Sequence, residues 1–175
     1  EVFFMNGMSK KIYLELPIPH TGDVTADRER LLQYLEPHAG RVSFPYSVFR
    51  RDYRAFRREN WQVTATLVWS GEQWQITAVE AGDTTAYHYG LALDLGSTML
   101  AMELIDMNTG EVMAADGEPN PQIPYGEDIL SRITYGKDQE EHLRELQQAA
   151  VQGINALIQR LCRRANVGAK HITLM

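Results

Sequence analysis

The sequence has little cysteine, because Cys162 is the only one among 175 residues. A single thiol cannot form a disulfide within the chain, and it cannot supply the ligands of an iron–sulfur cluster or a cysteine zinc site. The five histidines are scattered and form no pair with metal-ligand spacing on one face. Cysteine usage therefore favours a reducing compartment, and we expect a cytoplasmic protein.

Long apolar runs and an excess of basic charge are also missing. No apolar run approaches the roughly 20 residues that span a bilayer, so we expect no membrane association. The first eight residues lack the basic segment and the long apolar segment of a signal peptide. The formal net charge is −6, which argues against a general affinity for nucleic acid.

The composition is 44% hydrophobic and 23% charged, which is typical of a globular protein with one ordinary domain or two small ones. In the first half, residues 11–17 alternate apolar and polar side chains, and this pattern predicts a strand. We also predict a helix over residues 26–35 with Thr25 as its N-cap, a helix over residues 45–58, and a hairpin of strands 61–69 and 73–80.

A break in composition at residues 81–85 predicts a domain boundary, which gives domains 1–85 and 86–175. The second half predicts a three-stranded meander over residues 87–116, a loop over 117–124, a short helix over 127–133, a long amphipathic helix over 137–165 that Gly168 stops, and a strand over 171–175. The fold class expected from this mixture is α+β or α/β.

The chemistry is expected at residues 91–98, where a buried strand leads to Asp94, Gly96, Ser97 and Thr98. Gly96 allows the backbone to turn and a phosphate to approach, and backbone N–H groups at such a turn can bind an anion. The hydroxyls of Ser97 and Thr98 are further donors, and Asp94 could hold Mg²⁺ through water. An ordinary hairpin with a polar turn has the same residues, so the motif alone leaves both interpretations open.

Three blocks, residues 89–98, 106–112 and 120–133, resemble the ATPase domain of the reductive activases of corrinoid proteins, in sequence and in spacing. Residues 13–17 and 25–27 resemble the domain that precedes it in that family. One position departs from the family pattern, because Met99 stands where a third threonine is usual. The turn is therefore one hydroxyl short.

The resemblance implies a small α+β middle domain for linkage or dimerisation, followed by part of a ribonuclease-H-like domain of the type found in actin, sugar kinases and heat-shock chaperones. It implies ATP and Mg²⁺ as cofactors, a homodimer, and a corrinoid protein as partner. ATP hydrolysis would be coupled to reduction of Co(II) to Co(I), with electrons from an N-terminal iron–sulfur domain that this chain lacks. We therefore expect a fragment that does not hydrolyse ATP alone.

The resemblance also assigns roles to residues of the third block. We expect Asn120 to bind the nucleotide, and Gln122 or Asp128 to orient the attacking water. The simpler alternative is a loop amide and a carboxylate that begins a helix. Tyr125 and Arg132 are expected to pack and pair locally.

Two other interpretations of function stay open at this stage. One is a small-molecule kinase with the same fold, and the other is a non-catalytic scaffold that nucleotide switches. A basic cluster in the first half, with aromatic residues between its members, is typical of a solvated helix face. Contact with nucleic acid and docking to an acidic partner or to another domain are the alternatives. Its members are Arg50, Arg51, Arg54, Arg57 and Arg58.

Overall fold

A computed structural model describes residues 7–137 and 139–174, which contain both helices and strands. Within these residues, the strands form two four-stranded sheets, one in each of two compact units, 7–88 and 89–173. The predicted mixture of helices and strands is confirmed. Among the described residues, no helix combines the length and the apolar character that crossing a bilayer requires.

The first unit is a sheet in the order β1-β3-β4-β2 that helices pack against. Its core contains Phe56, Leu31 and Leu67, which are fully buried. The elements are β1 (Ser9–Glu15), α1 (Asp27–Ala39), β2 (Val42–Ser43), α2 (Tyr46–Asp52), α3 (Ala55–Arg58), β3 (Gln62–Trp69) and β4 (Trp74–Ala81).

Two predictions for the helices of this unit are wrong. Thr25 is not an N-cap, because α1 begins one residue later and Ala26 occupies the cap position with extended backbone. The predicted helix over residues 45–58 is two short helices, α2 and α3. Asp52 is the last residue of α2, and its carboxylate accepts a hydrogen bond from the Val79 amide, which fixes the end of α2 against β4.

The predicted basic cluster is largely exposed, and several of its members are paired within the unit. Arg51 binds Asp52 and the Thr77 carbonyl, and Arg57 binds Asp27. Arg57 also lies 5.2 Å from the Trp61 ring centroid. These contacts fit a solvated helix face, and docking to an acidic partner stays a prediction.

The second unit has a sheet in the order β7-β6-β5-β8. Its elements are β5 (Tyr89–Leu95), β6 (Met99–Asp106), β7 (Val112–Pro119), α4 (Ile129–Gly136), α5 (Glu140–Ala165) and β8 (Ile172–Leu174), with 3-10 turns at Ile123–Tyr125 and Ala169–His171. Met175, the last residue of the predicted final strand, lies outside the described residues.

The long helix α5 covers one face of this sheet. Its Leu157 and Leu161 are fully buried against Leu100 and Leu104 of β6. The helix ends at Asn166, whose backbone adopts a left-handed conformation with φ 54°. Gly168 is therefore not the stop that the sequence suggested, because asparagine tolerates this conformation better than most residues.

Strand β7 extends to Pro119, although the sequence predicted a loop from residue 117. The last four residues of β7 have low strand propensity: Asp116, Gly117, Glu118 and Pro119. Arg160 of α5 nevertheless binds the carboxylates of Asp116 and Glu118, at 2.6 and 2.7 Å. Pairing with β6 and these two ion pairs outweigh the local preference.

Acid is expected to destabilise the first unit through Asp23. The Thr25 amide, followed by the Arg30 guanidinium, lowers the pKa of Asp23 to about 2. An aspartate in the unfolded chain has a pKa of about 3.9, so this stabilisation is complete above that pH and is lost as the pH falls towards 2. We expect Asp23→Asn to remove this part of the acid dependence. Tryptophan fluorescence in urea titrations reports the first unit alone, since all three tryptophans lie in it. If the free energy of unfolding falls equally with decreasing pH in the wild type and in Asp23→Asn, Asp23 is not the source of this acid dependence.

Candidate functional site

The chain reverses direction between β5 and β6, as the sequence predicted. Strand β5 ends at Leu95 and β6 begins at Met99, so residues 96–98 form the hairpin corner, one residue longer than expected. Ser97 and Thr98 are exposed there, and Asp94 is exposed near the end of β5. The hairpin corner is therefore open to a ligand.

Gly96 is required by the turn itself. A Cβ at this position would lie 2.8 Å from the Met99 carbonyl oxygen, which is closer than real Cβ contacts come. The sequence suggested two reasons for this glycine, the turn and access for a phosphate. The geometry supports the first, because the conflict lies within the hairpin, and phosphate access stays a prediction.

Asp94 lies on the open face of the second sheet, the side opposite α5. It pairs with Ala101, while Ala92 pairs with Glu103, so the two carboxylates are diagonal neighbours on one face. Among the described residues, no group of three or more His, Cys, Asp and Glu side chains could hold a metal ion. The predicted role of Asp94 in holding Mg²⁺ through water stays a prediction.

The three carbonyl groups of the hairpin corner all accept hydrogen bonds from Asn120 or Arg132. Asn120 is buried, with 2% of its surface exposed. Its side-chain amide donates to the Gly96 carbonyl, and its backbone N–H donates to the Thr98 carbonyl, both at 2.8 Å. Arg132 donates from Nη2 to the Ser97 carbonyl at 2.5 Å.

Holding these carbonyls orients the amides that follow them. In a trans peptide, the C=O of one residue and the N–H of the next lie in one plane and point in opposite directions. Asn120 therefore turns the Ser97 N–H outward, and Arg132 turns the Thr98 N–H outward. Within the described part of the chain, neither N–H donates to a protein acceptor. Two adjacent outward N–H groups are an anion-binding arrangement.

The predicted nucleotide contact of Asn120 stays a prediction. Its side chain binds the Gly96 carbonyl and accepts from the Gln122 amide at 2.8 Å, so it supports the hairpin corner from within. Gln122 donates from Nε2 to the Leu146 carbonyl at 2.9 Å, and its Oε1 accepts from Arg132 at 3.4 Å. Both amides therefore link the loop to its surroundings in this structure.

Asp128 is the N-cap of α4. Its carboxylate accepts from the Ser131 amide at 2.7 Å, and its own N–H donates to the Ser131 hydroxyl at 3.2 Å, which completes a capping box. The Ser131 amide is the main cause that lowers the pKa of Asp128. This geometry favours the helix-start interpretation, and its role towards water stays a prediction.

Substitutions at Asp128 separate a cap from a catalytic group. Asp128→Ala removes the acceptor for the Ser131 amide and is expected to lower the free energy of unfolding of the second unit by about 1 kcal/mol. Asp128→Asn keeps a good cap and is expected to change it little. Urea titrations followed by NMR signals of the second unit measure both. Equal losses from the two variants would contradict the capping role.

A groove of about 320 Å³ lies beside the hairpin corner, between the loop and the two helices of the second unit. Gly96, Ser97, Asn120, Gln122 and Arg132 line its polar part. Its rim is apolar and exposed at Leu95, Ile129, Ile133 and Leu143.

Sequence reasoning missed the long-range role of Arg132. An arginine four residues after Asp128 in a helix predicts a local ion pair. The structure shows a local contact, to the Gly126 carbonyl, and it also places the guanidinium against Ser97, 35 residues away in sequence. Tyr125 does pack locally, with its ring centroid 5.3 Å from that of Tyr135.

Two regions of one protein family together match nearly the whole chain. The RACo linker region matches residues 1–86, and the RACo middle region matches residues 89–175. The corrinoid activation enzyme RamQ of Eubacterium limosum is 31% identical over 84 residues, which cover 48% of this chain and 14% of RamQ.

A solved structure also matches, that of the reductive activator for corrinoid, iron–sulfur protein. The TM-score is 0.82 at 28% identity, over 99% of this chain and 28% of that one. The chain thus spans well under two thirds of the length of these relatives. With both of its regions matched, the chain belongs to the family of RACo-type activases.

Proposed function

We propose that this chain is the linker and middle part of an ATP-dependent activator that reduces the Co(II) form of a corrinoid protein to Co(I). Family membership and the names of both relatives support corrinoid activation. The relatives are several times longer, so the activity that we propose belongs to a protein of that length. A cytoplasmic homodimer that pairs through the first unit is part of the proposal.

The observation that carries the proposal is the arrangement of the hairpin corner. Two adjacent N–H groups point outward, the hydroxyls of Ser97 and Thr98 lie beside them, and Asp94 stands near the end of the preceding strand. Phosphoryl transfer requires mainly positioning and charge neutralisation, and these groups supply both.

We assign the residues as follows. Ser97 and Thr98 bind phosphate oxygens of ATP through N–H and hydroxyl groups, and Asp94 holds Mg²⁺ through water. Gly96 permits the turn, and Asn120 holds it. The second unit, with its sheet and α5, would be one part of an actin-like ATPase domain. Gln122 and Asp128 are candidates to orient water once the rest of the cleft is in place.

ATP hydrolysis would be coupled to the transfer of one electron to cobalt from a reduced iron–sulfur cluster. This chain cannot ligate such a cluster with its single cysteine, so another segment would hold it. The residues described here would bind and orient the nucleotide and take no direct part in electron transfer.

The proposal is tested with the longer activator that contains this chain, supplied with Mg–ATP, a low-potential electron donor and a Co(II) corrinoid protein. We expect ATP turnover to rise with the corrinoid protein and the Co(I) absorbance to grow only with ATP. An ATP turnover rate that does not change when the corrinoid protein is added would contradict the proposal. The 175-residue chain alone is expected to show no steady-state ATP hydrolysis. Substantial turnover by it would contradict the proposal that the complete ATP-binding cleft needs the longer protein.

A further inference from the structure

Arg132 joins three segments of the second unit. It is buried, with 8% of its surface exposed, and it lies in the first turn of α4. Its Nε donates to the Gly126 carbonyl at 2.8 Å, and its Nη2 donates to the Ser97 carbonyl. Its Nη1 is 3.4 Å from Gln122 Oε1, a weaker contact. One planar guanidinium therefore fixes the hairpin corner to the loop before α4.

The charge of Arg132 has no carboxylate partner in the described part of the chain. The buried Arg30 pairs with Asp23, and Arg160 pairs with two carboxylates. Burying an unpaired charge costs several kcal/mol, so a guanidinium satisfied only by neutral oxygens is an unusual choice for stability alone.

We infer that Arg132 is a positioning residue for anion binding at the hairpin corner. By holding the Ser97 carbonyl it turns the Thr98 N–H outward, and its unpaired charge adds positive potential beside that N–H. Its charge is also among the smaller causes that lower the pKa of Asp128, so its field extends beyond its own contacts. The inference rests on the proposed function, since it concerns the same hairpin corner.

Two substitutions of Arg132 distinguish the effect of its planar hydrogen-bonding geometry from the effect of its charge. Arg132→Lys keeps the charge and loses the planar fork, so one amine cannot reach all three acceptors. Arg132→Gln loses both. Arg144→Gln is the matched control, because Arg144 is an exposed arginine of the same unit that binds Glu140 one helical turn away. All three variants are tested as the 175-residue chain, with NMR spectra to verify folding.

The first measurement needs no ligand. We expect the NMR order parameters of the Ser97 and Thr98 amides to be near the rigid value of about 0.85 in the wild type and in Arg144→Gln. In Arg132→Lys and Arg132→Gln we expect the Thr98 value to fall towards about 0.6. An unchanged Thr98 value in a folded Arg132→Lys or Arg132→Gln chain would overturn the positioning role.

The second measurement titrates magnesium tripolyphosphate and follows the same amides. We expect both Arg132 variants to bind about tenfold more weakly or worse, the glutamine variant most, and the control to bind like the wild type. If Arg132→Gln does not fold, Arg132→Lys decides alone. Affinity equal to that of the control would overturn the inference. If the wild type does not respond either, the proposed function fails, and the order parameters alone decide whether Arg132 positions Thr98.

Discussion

Replacing Gly96 with alanine is expected to lower the free energy of unfolding of the second unit by about 2 kcal/mol. The added methyl group would meet the Met99 carbonyl oxygen at 2.8 Å, and backbone on both sides of the turn must move. That movement would also break the alignment of the outward N–H groups. We therefore expect binding of magnesium tripolyphosphate to weaken about tenfold or more.

The control for Gly96→Ala is Gly168→Ala in the same unit. Gly168 has φ −78° and ψ 128°, and a Cβ there would be 3.4 Å from the His171 side chain, an ordinary contact. We expect that variant to be neutral or slightly stabilised. Urea titrations followed by NMR give the stabilities. If both variants behave alike, the tight turn assigned to the hairpin corner is wrong.

Asp94→Asn is expected to lower Mg²⁺-dependent ATP turnover of the longer activator by about 10- to 100-fold, with little effect on folding. The side chain is exposed on the open face, so its removal leaves no cavity. An amide has no negative charge to attract the hydrated cation. The tripolyphosphate affinity of the 175-residue chain should accordingly lose its Mg²⁺ dependence.

Glu103→Gln supplies the matched control for Asp94→Asn. Glu103 is an exposed carboxylate on the same face, one diagonal step from Asp94, so the substitution removes the same charge from the same sheet. We expect it to keep nearly full turnover. A similar loss in both variants would mean that the general acidity of this face matters, and it would remove the specific role of Asp94.

The sequence predicts the parts of the fold in which local and tertiary preferences agree. Apolar residues at three- and four-residue steps predict α5, and its Leu157 and Leu161 are buried as expected. The elements that it misses depend on distant partners. The end of β7 is held by Arg160, more than 40 residues away, and the break between α2 and α3 involves Asp52 and strand β4. Propensities carry no information on such contacts.

The same distinction applies to the candidate site. The reversal at Gly96 and the exposure of Asp94, Ser97 and Thr98 follow from the strand–turn–strand pattern. The supporting contacts of Asn120 and Arg132 do not, because each crosses more than 20 residues of sequence. The motif therefore identifies which groups are exposed at the hairpin corner, and the structure identifies which groups orient them.

The most direct test of the proposed triphosphate site uses Mn²⁺–ATP with the 175-residue chain. Mn²⁺ accepts the same oxygen ligands as Mg²⁺, and its unpaired electrons broaden the NMR signals of nearby nuclei. We predict that signals of Asp94, Ser97 and Thr98 broaden first when nucleotide is present, and that Asp94→Asn removes the effect. Sharp signals at these residues, with broadening at another surface, would contradict it.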